Sequence, residues 1–199
     1  MIKGDINLIT ASFDEVEINK NELARRLHTE RGFTSPEIEE CKKMLSSVTS
    51  FRCAYIRTGV DLSLINVCDF GFMTVTSKSL YKNLGGCNEA FVMALTSGIG
   101  VDRLLARLNI VSQAQHFIAD GISSAAVESF CDYACKLMKQ GVCCVPRFSP
   151  GFGDVSIEYQ VPLLKRLDAA AVLGITLNSA YLMTPMKSIT AIMGIKGEV

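Results

Sequence analysis

The sequence predicts an α+β fold with a largely antiparallel sheet, and three stretches of the chain support this prediction. Residues 90–95 (AFVMAL) form a continuous apolar run of strand length, which is typical of a central strand covered on both faces. Residues 112–139 show the longest helical periodicity in the chain. Residues 176–184 and 188–195 resemble two strands joined in a hairpin by a Pro-Met-Lys turn. Strands in runs, with helices between and around them, favour α+β.

Capping residues and apolar spacing predict two helices in the N-terminal quarter of the chain. Residues 1–14 show no clear period. Residues 19–27 have helical spacing with an asparagine as N-cap, and Ser35 followed by Pro36 is typical of the start of a second helix. The apolar stripe of that second helix consists of Ile38, Cys41, Leu45 and Val48.

Shorter elements fill the rest of the chain. Apolar residues predict strands over 51–57 and 64–70, and a later Thr-Ser pair predicts a short helix that ends at a Gly-Gly pair. Gly121 lies inside the long helical stretch and is compatible with a break there. We expect a short strand over 142–145 and a helix within 154–167.

Length and composition bound the class of protein. The 199 residues fit one domain, and we expect an N-terminal helical segment (1–50) packed on a main α+β domain (51–199). A formal net charge of zero, without a basic run, argues against nucleic acid and membrane surfaces as partners. The N-terminus lacks the features of a signal peptide, and no apolar run reaches the ~18 residues of a membrane span. We therefore expect a cytoplasmic protein.

The chain contains eight cysteines, which is a high number for its length. A disulfide scaffold is not expected without a signal peptide. Cys131 and Cys135 are one helical turn apart, and neither His28 nor His116 is at ligand spacing from them, so the pattern does not match a zinc site. We expect reduced, mostly buried thiols and no bound metal. The cysteines are Cys41, Cys53, Cys68, Cys87, Cys131, Cys135, Cys143 and Cys144.

Residues 147–154 (RFSPGFGD) are the main candidate for a binding site. Glycine permits backbone conformations that aim amide groups at one point, which can form a small site for an anion or a dipole. Arg147 adds a planar fork that fits a carboxylate or a phosphate, and Phe152 adds a flat ring. The alternative is a Pro-Gly turn beside a solvent-facing arginine, or an arginine that holds the loop in place through Asp154.

Other catalytic or phosphate-binding motifs are weak. Residues 96–100 (TSGIG) form a Gly-rich turn between a predicted strand and a helix, but a lone GxG is not a nucleotide fingerprint. With only two histidines, the sequence shows no Ser–His–Asp, Cys–His or paired-carboxylate constellation. A stand-alone small-molecule enzyme is one hypothesis for this chain, and these absences argue against it.

Four segments of the chain, taken together, resemble the activation domain of cobalamin-dependent methionine synthase. The signature of that family is Arg-Pro-Ala-Pro-Gly-Tyr, followed by a strand pair with a Leu-Thr-x-Ser segment, and the upstream segments look like its free-standing, single-domain members. The resemblance covers roughly residues 51–195. The matching segments are 88–102 (NEAFVMALTSGIGVD), 120–133 (DGISSAAVESFCDY), 147–154 (RFSPGFGD) and 174–195 (GITLNSAYLMTPMKSITAIMGI).

The resemblance implies a twisted, largely antiparallel sheet flanked by helices, and it implies a function. The family's domain binds S-adenosylmethionine (AdoMet) and supports reductive methylation of cob(II)alamin, with a flavodoxin-like protein as electron donor. A free-standing chain of this kind would be an accessory subunit, with the cobalamin carried by a partner methionine synthase or related corrinoid methyltransferase. The alternative is a docking module for a corrinoid protein that no longer binds AdoMet.

The resemblance also implies roles for five residues. Arg147 would pair with the carboxylate of the methionine moiety, and the backbone at Ser149 and Gly151 would line the ligand. Phe152 stands where the family has tyrosine, so it can contribute a ring contact but no phenol hydrogen bond. Glu128 lies in a stretch similar to the family's E-x-x-F-x-x-Y segment and would contact AdoMet, whereas from the helical wheel alone it is a solvated glutamate.

Overall fold

In the computed structural model, which describes residues 6–32 and 34–198, five strands form one antiparallel sheet. The elements in chain order are β1 (Asn7–Ala11), α1 (Lys20–Leu27), α2 (Pro36–Ser46), β2 (Phe51–Gly59), β3 (Val67–Asp69), β4 (Thr74–Thr76), α3 (Lys78–Asn83), β5 (Glu89–Thr96), α4 (Ile99–Val111), α5 (Gln113–Met138), β6 (Val142–Cys144), α6 (Gln160–Arg166), α7 (Ala169–Leu173), β7 (Thr176–Leu177), β8 (Met183–Thr184) and β9 (Ser188–Glu198). The strand order in the main sheet is β1-β2-β5-β9-β6. Short 3-10 helices occupy Phe13–Glu15 and Ile157–Tyr159.

The central strand β5 separates two hydrophobic cores. Its alternate residues Phe91, Met93 and Leu95 pack with α1, α2, α4 and α5, which cover one face of the sheet. Its other residues, among them Val92 and Ala94, pack with α3, α6, α7 and the β3–β4 hairpin on the opposite face. The prediction of a strand buried on both faces is therefore confirmed, and so is the α+β class with an antiparallel sheet flanked by helices.

Local capping explains why the predicted helices begin where they do. The Asn19 side chain accepts hydrogen bonds from two backbone amides in the first turn of α1. The Ser35 side chain accepts a hydrogen bond from one first-turn amide of α2, with Pro36 at the first helical position. Ser77 accepts a hydrogen bond from the Leu80 amide at the start of α3. Side chains that satisfy otherwise unpaired amides are a local signal, which is why the sequence located these three starts.

The N-terminal region contributes more than helices, because β1 pairs with β2 as an edge strand of the main sheet. Residues 1–14 show no clear period in the sequence, so this strand was not predicted. Its side chains are mostly exposed or half-buried, which leaves no clear apolar alternation to detect. Both α1 and α2 pack on α5. The division of the chain at residue 50 stays a prediction.

The predicted hairpin between 176–184 and 188–195 is wrong. β7 pairs with β8 in a small hairpin of its own, whereas β9 lies between β5 and β6 in the main sheet. The Asn178 side chain accepts hydrogen bonds from the Ala180 and Leu182 amides, and this local turn reverses the chain earlier than expected. The strand predicted over 64–70 shortens to β3, and the helix predicted within 154–167 begins only at α6.

Two glycines permit close packing of helices. α5 runs unbroken through Gly121, where an added Cβ would lie 2.7 Å from Cδ2 of Leu27 on α1. At Gly100 an added Cβ would lie 2.4 Å from the backbone oxygen of Val48, so α4 approaches the loop after α2 closely. Gly100, the second glycine of the Gly-rich turn at 96–100, thus has a packing role.

Among the described residues, no helix is both long and apolar enough to cross a bilayer.

Candidate functional site

The loop that contains residues 147–154 follows β6 and lies against β9. Phe148 and Ile192 exchange two backbone hydrogen bonds of 2.8 Å each, which fix the loop to that strand. The Gly151 amide donates to the Val155 carbonyl at 2.9 Å, and the Phe152 amide donates to the Ser149 carbonyl at 3.2 Å. Both amides are therefore used inside the loop, with Gly151 at a φ of 88°. Neither of these two amides is therefore left as a free donor at the loop surface.

The Arg147 side chain turns toward α5 and contacts two carboxylates. One guanidinium nitrogen donates to Oε2 of Glu128 at 2.8 Å, and the other forms a very short contact with Oδ1 of Asp132. Glu128 and Asp132 are four residues apart on one face of the helix, so a single guanidinium can reach both. The structure thus brings together two of the predicted site residues, Arg147 and Glu128. The idea that Arg147 holds the loop through Asp154 is wrong.

Asp154 instead caps α3. Its carboxylate accepts hydrogen bonds from the Ser77 hydroxyl at 2.6 Å, the Lys78 amide at 2.8 Å and the Ser79 amide at 3.2 Å. These bonds, with the Ser77 hydroxyl as the largest cause, hold the pKa of Asp154 well below its usual value. The two charged ends of the loop therefore tie it to different helices, one on each side of the sheet.

A groove of about 500 Å³ opens beside Arg147. Its walls come from α5, from the loop after β6, from α6 and β8, and from the first residues of β9. This volume lies within the range of small-molecule sites in proteins. The residues that line it are Glu128, Arg147, Phe148, Ser149, Pro150, Phe152, Gln160, Met183, Ser188, Ile189 and Thr190. Four of the five predicted site residues thus line one groove, and the fifth, Gly151, lies in the adjoining turn.

A smaller polar cleft of about 320 Å³ lies on the other side of the Arg147 side chain, between α1 and α5. Arg147 and Glu128 border both spaces, whereas Asp132 borders only this cleft and its continuation. Sequence reasoning missed Asp132, although its four-residue spacing from Glu128 was a usable signal. The ion pair therefore forms a partition between the groove and the cleft.

Phe152 and Gln160 contrast in exposure at the groove. The Phe152 ring is 68% exposed, so it is free to contact a bound flat group. Gln160 is only 5% exposed, and its amide nitrogen donates to the Tyr181 carbonyl at 3.4 Å. Sequence reasoning missed Gln160 because its burial depends on the β7–β8 turn, which is distant along the chain.

Six of the eight cysteines are buried, as expected of mostly buried thiols. Cys131 and Cys135 lie on α5 near Arg147, and a hydrogen bond between the thiols lowers the pKa of Cys135 and raises that of Cys131. The positive charge of Arg147 also favours the thiolate of Cys135, whereas burial opposes it. Over residues 6–32 and 34–198, no group of three or more His, Cys, Asp or Glu side chains is arranged to hold a metal ion.

Comparison with known proteins gives a match in structure. No protein-family profile matches the chain, and no curated protein sequence does so either. Among the solved structures that match is a crystal structure of the MetH reactivation domain bound to AdoHcy. It superposes with a TM-score of 0.73 over 96% of this chain and 78% of that chain, at 10% sequence identity. The chain therefore has the α+β fold of the MetH reactivation domain.

Proposed function

We propose that this chain is an AdoMet-binding reactivation subunit, which supports reductive methylation of cob(II)alamin held by a partner methionine synthase or related corrinoid methyltransferase. The fold supports the proposal, because the similar MetH domain was crystallised with AdoHcy, the demethylated form of AdoMet. The observation on which the proposal depends most is the ion pair of Arg147 and Glu128 at the wall of an open groove.

The charges of this pair suit the amino-acid end of AdoMet. A methionine moiety presents an α-carboxylate and an α-ammonium on neighbouring atoms, and Arg147 and Glu128 present the two complementary charges 2.8 Å apart. A guanidinium has five N–H donors, so the two contacts to α5 leave further donors for a ligand carboxylate. The exposed ring of Phe152 would then cover part of the ligand.

The role of the chain in the reaction would be binding and orientation. AdoMet bound in the groove would supply the methyl group for a corrinoid on the partner and would be left as AdoHcy, while a flavodoxin-like donor would supply the electron. Arg147 and Glu128 would fix the amino-acid end, which leaves the sulfonium free to point out of the groove. The chain would thus be an accessory subunit rather than a complete methyltransferase.

Calorimetric titration of the purified chain with AdoMet and with AdoHcy tests the proposal. We expect saturable binding of both ligands with one site per chain. Methionine and adenosine, tested separately, should bind more weakly than the joined molecule because each makes only part of the contacts. A folded protein that gives no binding heat with either full ligand, and no shift in melting temperature at millimolar concentrations, would contradict the proposal.

The alternative is a docking module for a corrinoid protein that does not bind AdoMet. It is favoured by one observation, which is that Arg147 already contacts two carboxylates on its own chain. A ligand carboxylate would have to use the remaining donors or displace one of these contacts. Co-sedimentation with a cobalamin-loaded methionine synthase, with and without AdoHcy, separates the alternatives. A docking module binds the partner but does not bind AdoHcy, whereas a reactivation subunit binds both.

A further inference from the structure

One edge of the main sheet lacks the features that usually protect an edge strand. Within the described residues, β1 pairs with β2 on one side and with no strand on the other. Its five residues pair with β2 in one unbroken register, and residues 6–12 contain no charged residue and no proline. Leu8 in this strand is 59% exposed. Natural sheets protect such an edge with a charge, a proline or a bulge, because an open edge is a template for another strand.

The opposite edge of the same sheet is protected. β6 has only three residues, and its register against β9 shifts between Cys143 and Cys144. Pro146 follows shortly afterwards, and a proline has no N–H group to donate to a further strand. This contrast points to β1 as the edge that another strand can use. It also argues against an open chain of copies in which β1 of one molecule pairs with β6 of the next.

We propose that β1 pairs in antiparallel orientation with β1 of a second copy of this chain, so that the two sheets join across a two-fold axis. Such a contact sets residues of one strand against residues of the same strand, and a charged strand would therefore face its own charges. Residues 6–12 carry no charge, so this strand is compatible with a copy of itself. Two-fold dimers are also the commonest oligomers of soluble proteins, which favours a second copy as the occupant.

The register of this contact follows from the alternation of side chains along β1. Ile9 and Ala11 pack with the core that lies between the sheet and α5, so Leu8 and Thr10 lie on the other face. Residues opposite each other in paired strands share a face, and the pairing with the fullest overlap is therefore centred on Ile9. It sets Leu8 opposite Thr10 of the second copy, which removes part of the exposed leucine side chain from water.

The contact leaves the ligand groove free. The pairing of the strands puts Thr10 in line with Arg52, Thr96 and Ser188, so β1 lies three strand spacings, or about 14 Å, from the groove residue Ser188. No residue of β1 lines the groove. Dimer formation and ligand binding therefore use different surfaces, and this inference does not rest on the proposed function.

Sedimentation equilibrium of the purified chain and of three double variants tests the proposal. Wild-type protein should have twice the mass of one chain. Leu8→Lys/Thr10→Lys should be a folded monomer, because the introduced ammonium groups would face one another across the two strands. Leu8→Lys/Thr10→Glu should restore the dimer, because each lysine at position 8 would face a glutamate of the second copy. Thr74→Lys/Thr76→Lys, at exposed positions of β4, is the matched control and should stay dimeric.

Three results would overturn the proposal. Wild-type protein that keeps the mass of one chain at its highest soluble concentration has no such contact. A Leu8→Lys/Thr10→Lys variant that is folded by circular dichroism and still dimeric would place the contact on another surface. A Leu8→Lys/Thr10→Glu variant that stays monomeric beside a dimeric wild type would overturn the antiparallel register centred on Ile9.

Amide hydrogen exchange of wild-type β1 decides the question even if a variant does not fold. Protection of the amides of residues 8–10 should rise with protein concentration as the dimer forms, whereas protection in β4 should stay constant. A doubled mass without any gain of protection in β1 would overturn the proposal. AdoHcy titrations of wild type and of the folded monomeric variant should give the same affinity, so the result is independent of the proposed function.

Discussion

Arg147 donates a hydrogen bond of 2.8 Å to Glu128, and this contact joins the loop after β6 to the middle of α5. The two residues are 19 positions apart in the chain and lie on different elements. Both side chains are partly exposed, at 29% for Arg147 and 39% for Glu128, so the pair borders the groove and also holds the loop in place. Variants of these two residues separate the two roles.

Replacement of Arg147 should weaken ligand binding strongly. Removal of one partner of a hydrogen-bonded charge pair in a partly desolvated site costs about 2–5 kcal/mol. At about 1.4 kcal/mol per decade, Arg147→Ala should therefore weaken AdoHcy binding roughly 30-fold to 1000-fold or more. Arg147→Lys should recover only part of this loss, because an ammonium cannot reproduce the planar fork. Calorimetry on the three proteins measures the effect.

The control for this experiment is Arg57→Ala. Arg57 pairs with Glu89 at 2.5 Å and is 42% exposed, but it does not line the groove. We expect unchanged AdoHcy affinity in this variant. Thermal melts of the ligand-free proteins show whether Arg147→Ala acts through the fold. A large loss of stability with little loss of affinity would assign Arg147 a structural role only.

Removal of the charge of Glu128 should affect binding more than removal of the charge of Asp132. Both carboxylates contact Arg147, but only Glu128 lines the larger groove. Glu128→Gln should weaken AdoHcy binding by roughly 10-fold or more, because a charge-assisted bond to the ligand ammonium is lost. Asp132→Asn keeps the shape of the residue and should have a smaller effect. Equal losses in the two variants would contradict a direct ligand contact at Glu128.

Asp154 should make the stability of the protein depend on pH in the acid range. Its folded-state pKa is depressed, mainly by the Ser77 hydroxyl, so its stabilising contribution is present above the unfolded pKa of about 3.9. The contribution is lost as the pH falls from there toward the lower folded-state pKa. We expect Asp154→Asn to melt a few degrees below wild type at pH 7, with the difference shrinking below about pH 4.

Melting curves of wild type and Asp154→Asn between pH 2.5 and pH 8 would measure this difference. Glu40→Gln, at an exposed position of α2, is the matched control and should melt close to wild type throughout this range. A gap between Asp154→Asn and wild type that stays constant down to the lowest pH would show that the cap does not depend on the charge.

The thiols should differ in reactivity according to burial. Cys143 is exposed and Cys144 is half-buried, whereas the other six are buried. Titration of the native protein with a chromogenic aromatic disulfide should show one fast thiol, a slower second one, and all eight only after unfolding. The lowered pKa of Cys135 should not make it fast, because the reagent cannot reach its buried sulfur.

Cys143→Ser identifies the fast phase, which should disappear in this variant while the slower phases remain. Fewer than eight reactive thiols in denaturant would show that a disulfide or a bound metal had been missed. Rapid reaction of a buried thiol in the native protein would show that the segment containing that cysteine opens locally.

Part of the candidate site could be predicted from the sequence, because Arg147 and Glu128 occur in segments that resemble a known family. Their mutual contact could not, since it depends on how the loop after β6 lies across α5. Gln160 gave no local signal at all. Its side chain is buried at the groove and contacts the Tyr181 carbonyl, 21 positions away in the chain, so its place there is seen only in the tertiary structure.

The sequence by itself determined the α+β class, the capped starts of α1, α2 and α3, and the buried central strand, because these depend on residues that are close together along the chain. The tertiary structure alone decided that β1 joins the sheet and that β9 lies between β5 and β6 rather than in a hairpin with 176–184. It also decided that Arg147 pairs with α5 while Asp154 caps α3. Strand order and side-chain partners depend on contacts between distant parts of the chain, and local periodicity does not encode them.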